Sequence, residues 1–253
     1  MERRFTCTAC GKCCFGALPL TLDDALAHAG RFPLAMIWTP VRQGSKAFDL
    51  TARLGITVRL PNRKQLAVQI APTAYIPPSL PCPALNPEGR CSIHATKPSR
   101  CRTMPFYPYR EEKDQADLLI PRPGWACDTS AAAAVVYRDK AIIDRADFDH
   151  ERQDLLRQAS ALRSYAEGLM AMAPWLVQGL VQAAMKPVGG HVVVNFASFL
   201  SRLDPGEAAA FARRQHPVLT DFAELTAGEA SLKEYHARYT EWAKDVALLS
   251  GPA

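Results

Sequence analysis

The chain has 253 residues, 48% of them hydrophobic and 22% charged. That is enough apolar material for one large core or two modest ones, so a metal is not needed merely as a staple for folding. The formal net charge of +5 is uneven: residues 1–130 hold 17 Lys/Arg against 10 Asp/Glu, and residues 131–253 hold 13 against 15. No basic stripe is interleaved with stacking aromatics, which argues against nucleic acid as a partner. The basic residues Arg3, Arg4, Lys12, Arg90, Lys97, Arg100 and Arg102 fall inside the cysteine segments, where cations favour thiolate over thiol.

The chain begins with four cysteines in eight residues: Cys7, Cys10, Cys13 and Cys14 in FTCTACGKCC. So dense a run, beside Lys12 and two threonines, reads as metal ligands rather than as small buried hydrophobes. MERRFTCTAC has no apolar signal-peptide core, and no uninterrupted apolar stretch is long enough to span a bilayer. The expected compartment is the cytoplasm, with no membrane partner and with thiols kept reduced rather than paired as disulfides. Adjacent Cys13 and Cys14 project apart along the backbone, so they suit two different partners: one metal and one supporting contact, or two metals.

Next, TLDDALAHAG predicts a short helix with Thr21 as N-cap, Asp23 and Asp24 in its first turn and Gly30 beyond its end. FDLTARLGITVRL, the turn-like PNRK and QLAVQIA predict a β-hairpin. From Pro72 through Pro83 the proline density predicts an extended loop leading to Cys82. Cys82, Cys91 and Cys101 then follow at spacings of nine and ten residues, too long for paired zinc knuckles. Sites must therefore be assembled from distant segments, and Gly11 and Gly89 would let the backbone turn tightly beside a ligand. ADLLIPRP predicts a short strand before Trp125 and Cys127, the last of the eight cysteines.

From Asp128 onward the reading is helical. Ser130 would cap a helix over AAAAVVYRDKAII; DFDHERQDLLRQASALRSYAEGLMAM, PWLVQGLVQAAMKP and LTAGEASLKEYHARYTEWAKDVALL supply three more. HVVVNFASFLSRL fits a strand over its first residues or a buried helix throughout. Pro205-Gly206 marks a break before EAAAFARRQH. The expected fold class is α+β: a small irregular Cys-rich metal-binding module with a β-hairpin over residues 1–130, and a mostly helical half over 131–253 packed on it.

Together FTCTACGKCC, CPAL, CSIH with KPSRCRTMPF, and WACD resemble the YkgJ-type cysteine-cluster family, a zinc- or iron-chelating domain with a CxxCxxCC signature. The resemblance covers roughly residues 5–128 and implies that Cys7, Cys10, Cys13, Cys14, Cys82, Cys91, Cys101 and Cys127 are metal-site residues. A common family form has a tyrosine and an arginine-proline pair where this chain has His94 and Lys97-Pro98, so His94 is a candidate extra ligand or proton donor. The family is similar to the metal-binding part of flagellin lysine N-methylases, which implies protein methylation as one role to consider.

Thiolates suit both zinc and iron. Eight cysteines without a second CxxC pair look more like a [4Fe–4S] iron–sulfur cluster, or two unlike sites, than one structural zinc. The radical S-adenosylmethionine spacing CxxxCxxC is missing, as is a glycine-rich loop after a strand, so S-adenosylmethionine has no legible site. No nucleophile–base pair or phosphate loop points to hydrolase or kinase chemistry, and no catalytic residue is assigned. The expected function is a metal-binding protein of redox or protein-modifying role; the alternative is a zinc-stabilised module binding a protein or nucleic-acid partner. Phe106, Tyr107 and Tyr109 would screen the metal from water, and Met170, Met172 and Met185 would fill a core. His28, His150, His216 and His236 read as surface or capping residues; His191, after two glycines, could reach a site.

Overall fold

The computed structural model describes residues 2–60 and 63–250. The strands are β1 (Glu2–Arg4), β2 (Leu18–Pro19), β3 (Leu34–Arg42), β4 (Ile56–Arg59), β5 (Gln65–Ala74), β6 (Val135–Arg138), β7 (Ala141–Ile142) and β8 (Val192–Asn195). The α-helices are α1 (Leu22–Ala27), α2 (Phe48–Leu54), α3 (Ser99–Thr103), α4 (Ala146–Met172), α5 (Trp175–Met185), α6 (Pro205–Thr226) and α7 (Lys233–Leu249). The fold is α+β, with a mostly helical C-terminal half.

β3 and β5 pair antiparallel along their whole length, from Leu34 opposite Ala74 to Arg42 opposite Leu66. β8 occupies the far edge of β3, while β2 and β4 share the far edge of β5. In a smaller sheet β6 lies between β1 and β7. Both sheets therefore combine strands from either side of residue 130. Among the described residues every strand pairing is antiparallel.

The main core lies between the large sheet and the helices. Trp38 of β3 is fully buried, its ring centroid 5.8 Å from that of Tyr165 on α4. Leu176 and Leu180 of α5, Phe211 and Leu219 of α6, and Tyr239 and Val246 of α7 close the same cluster. Gln215 fastens α6 to the turn between α1 and β3, donating from Nε2 to the Ala29 and Phe32 carbonyls (2.6 and 2.9 Å) and accepting from the Leu34 N–H at 2.6 Å. No cysteine belongs to the buried set of this core, although Cys82 packs at its margin.

α1 forms as its sequence predicts: Thr21 Oγ1 accepts from the Asp24 N–H at 3.1 Å, and the helix closes at His28, with Gly30 beyond its end. α4 and α5 also follow their apolar spacing. The hairpin exists as β4 and β5, but FDLTARL is helix α2; Pro61 and Asn62 of its turn lie outside the described residues. Pro72 belongs to β5, so the extended loop starts later than expected. ADLL is a 3-10 turn instead of a strand.

The alanine-rich run after Ser130 is also corrected. Instead of a helix, VVYR pairs with β1 and returns through Asp139 and Lys140, whose φ values of 50° and 66° are those of a type I′ two-residue turn. HVVVNFASFLSRL divides into strand β8 and a 3-10 segment, Phe196–Arg202. Met170 packs beside the core, whereas Met172 and Met185 are exposed, contrary to the core-filling expectation.

Candidate metal centre

Three local pairings position the thiols. Thr6 and Asp128 exchange backbone hydrogen bonds of 2.8 and 3.0 Å, and Thr8 Oγ1 donates to the Ala126 carbonyl at 3.0 Å. This bridge brings Cys7 near Cys127, on whose thiol it acts electrostatically. Phe15 bridges Pro81, and the Cys82 N–H donates to the Cys14 carbonyl at 2.8 Å, setting Cys14 beside Cys82. Leu85 bridges Cys91, while Ser92 donates to the Ala84 carbonyl through both N–H (2.7 Å) and Oγ (3.0 Å).

Cys101 is carried by α3. Asp24 Oδ2 accepts from the Ser99 N–H at 2.9 Å, capping α3 from α1. α1 is itself fixed by Gln158 of α4, whose Oε1 accepts from the Leu22 N–H at 2.7 Å. Beside Cys101, buried Arg100 pairs with buried Glu151 at 3.4 Å, contacts the Phe106 carbonyl and lies 5.4 Å over the Tyr107 ring. Asp24, Gln158 and Glu151 gave no sequence signal of this role, because their partners are long-range.

The thiols act on one another across segments, with Cys13 felt by Cys82 and Cys101 as well as by Cys10 and Cys127. Cys14 feels Cys13, Cys82, Cys101 and Cys91, whereas Cys127 feels Cys10, Cys7 and Cys13. Burial raises the Cys82 and Cys127 thiols above their ordinary range and pushes Cys101 up to about 12. Backbone N–H groups of Lys12 and Ala126 lower Cys10. The thiol hydrogen bond between Cys13 and Cys14 lowers Cys14 and raises Cys13.

Lys97 acts on Cys13, Arg31 on Cys82 and Arg100 on Cys101. Arg31 was missed because it lies outside the cysteine segments. Two of the basic residues expected to neutralise thiolates are committed elsewhere: Arg4 binds the Ala131 and Ala133 carbonyls, and Arg102 binds the Lys97 carbonyl and Ser99.

All eight thiols are free, Cys7 and Cys13 exposed and the rest partly buried. Their donor chemistry fits zinc, iron or an iron–sulfur cluster. Among the described residues no three His, Cys, Asp or Glu side chains already stand in single-ion ligating geometry. The backbone gathers the thiols without closing a ligand shell.

His94 sits exposed on a 3-10 turn, with Nε2 3.5 Å from Lys97 Nζ. The aromatic screen is not formed as expected: Phe106 packs with Tyr137 and Phe148, Tyr109 packs with Leu50 and Leu155, and Tyr107 Oη accepts from Gln69 at 3.1 Å.

The family described as "CxxCxxCC: Putative zinc- or iron-chelating domain" matches residues 6–122. The matched segment holds seven of the eight cysteines and stops before Cys127, which the Thr6–Asp128 bridge returns to its beginning. No curated protein and no solved structure matches the chain. Among the described residues no single helix is long and apolar enough to cross a membrane.

Proposed function

We propose that this protein chelates iron through cysteine thiolates, as an iron–sulfur centre serving a redox or protein-modifying reaction. The observation that supports this reading is the separation of core from thiols: Trp38, Tyr165, Leu176 and Tyr239 close a large core to which no cysteine contributes a buried side chain. A metal at the domain's edge is therefore free to do chemistry instead of holding the fold together. When bound, an iron–sulfur cluster supplies one-electron redox chemistry tuned by hydrogen bonds to its sulfurs and by burial.

The chain's own contribution is to gather and orient donors. The Phe15–Pro81 bridge and α3 bring Cys14, Cys82 and Cys101 together, and the Ala84 N–H donates to Cys82 Sγ at 3.4 Å. Arg31, Lys97 and Arg100 offset thiolate charge.

A zinc-stabilised binding module is the second reading, favoured by exposed Trp175, Met185 and Val188, apolar side chains available to a protein partner. Metal and acid-labile sulfide analysis, with a visible spectrum on anaerobically purified protein, separates the two. Iron with sulfide and broad visible absorption supports the redox reading. Colourless protein with zinc and no sulfide overturns it in favour of the module.

A further inference from the structure

We propose that the cavity beside β1 binds a carboxylate carried on a short apolar chain, with the Arg3 guanidinium as its anchor. This site lies outside the cysteine cluster and does not depend on metal.

β1 pairs with β6 so that Arg3 stands opposite Tyr137, and directly opposed residues of an antiparallel pair share a face of the sheet. Tyr137 is buried in the small core that it forms with Phe106, Leu119, Ile142 and Phe148. Arg3 therefore leaves its strand on the core-facing side, where a charged residue is uncommon unless something pairs with it. Its Nε is buried and meets no acceptor among the described residues. A buried donor without an acceptor is destabilising, so it marks a place where a ligand can supply one.

The adjacent carboxylate is already shared. Glu2 Oε1 accepts from Arg4 Nη2 at 3.0 Å, and Glu2 Oε2 accepts from Arg138 Nε and Nη2 at 3.1 and 2.9 Å. Arg4 also donates to the Ala131 and Ala133 carbonyls. One acidic side chain thus serves two neighbouring guanidinium groups, and the third, that of Arg3, is left to a ligand.

The walls define that ligand. Glu2, Arg3, Leu119, Ile120, Pro121 and Thr129 line a cavity of about 280 Å³, just below the usual size of ligand pockets, so the occupant is small. A guanidinium presents parallel N–H donors that match the two oxygens of a carboxylate, and Thr129 adds a hydroxyl. Leu119 is buried but Ile120 is 60% exposed, and an apolar chain laid over Ile120 and Pro121 removes that surface from water. Phosphate fits less well, because its further oxygens would meet the apolar wall and the Glu2 carboxylate.

The test titrates the intact, isotope-labelled chain with hexanoate at neutral pH, where an aliphatic carboxyl is ionised, and follows backbone amide and arginine Nε–H resonances. Saturable shifts are expected at Arg3, Ile120 and Thr129, with far weaker binding of hexanol and of inorganic phosphate. Arg3→Gln should weaken hexanoate binding about tenfold or more, the loss expected for one charge-assisted pair. Ile120→Asp, at an exposed position, should weaken it too, and decides the matter should Arg3→Gln fail to fold by circular dichroism. N-acetyl-leucine and its amide separate a free acid from a polypeptide C-terminus: the amide should not bind, and acetyl-leucine binding tighter than hexanoate assigns the site to a chain terminus, weaker binding to a free acid. No saturable shift with hexanoate, or equal affinity in wild type and both variants, overturns the proposal. Hexanol or phosphate binding as tightly as hexanoate overturns the carboxylate as its ligand.

Discussion

Gly11 lies against the carbonyl of Gly89: a Cβ at Gly11 would stand 2.7 Å from Gly89 O, and Gly11 has a φ of +70°. The first cysteine loop is thereby seated on the turn that leads into Cys91, where the Gly89 N–H donates to the Asn86 carbonyl at 2.9 Å. Gly11→Ala must move one of these loops, and the left-handed backbone alone costs an L-residue about 1–2 kcal/mol. A loss of roughly tenfold in metal affinity is expected from that strain, with unchanged far-UV circular dichroism. Competition with a chelator measures it; unaltered affinity would show that the two loops need not be docked to bind metal.

Arg100 and Glu151 are both about 95% buried, with side-chain exposures of 4% and 5%, and they join α3 to α4. Removing one charge from such a pair leaves the other buried alone, at a typical cost of about 3–5 kcal/mol. Glu151→Gln should lower the urea midpoint accordingly. Arg100→Met in the same chain should recover a substantial part of that loss, because no buried charge is then stranded. A double variant no more stable than Glu151→Gln would contradict this account.

Cys101, whose ordinary value is 9.0, is pushed up to about 12 by burial. In the metal-free protein the folded state therefore prefers the neutral thiol. This contribution to stability is fully present below about pH 9 and is lost as the pH rises towards 12. Metal binding runs the other way, since the proton must leave before sulfur ligates. Between pH 6 and 8 metal affinity should rise with pH and protons should be released on binding, as calorimetry in buffers of different ionisation enthalpy would register. Affinity independent of pH would show the thiols to be already ionised.

His94 is exposed and its Nε2 lies 3.5 Å from the Lys97 ammonium, a neighbour poorly suited to a metal ligand. His94→Ala is expected to leave both metal content and affinity unchanged. A lost equivalent of metal on elemental analysis would restore His94 as a ligand.

The sequence revealed the site's ingredients better than its assembly. Cysteine density announced the donors, and the Thr21 cap and the apolar spacing of α4 announced those helices, because each is a local signal. β3 gave none: Leu34, Ala35, Met36 and Trp38 are all buried between β5 and β8, so the alternation that marks a half-exposed strand is missing. Ala131–Ala134 favours helix by propensity, yet β6 follows because Tyr137 pairs with Arg3 from the other end of the domain. The nearness of Cys7 to Cys127 depends on that same long-range pairing, which is why spacing alone could not show it.

X-ray absorption at the edge of whichever metal the purified protein carries tests the central claim most directly, because it reports the ligand atoms themselves. The account predicts a first shell of sulfur alone, at about 2.3 Å for zinc or a comparable distance for iron. A shell dominated by nitrogen or oxygen, or a protein that carries no metal after anaerobic purification, would contradict it.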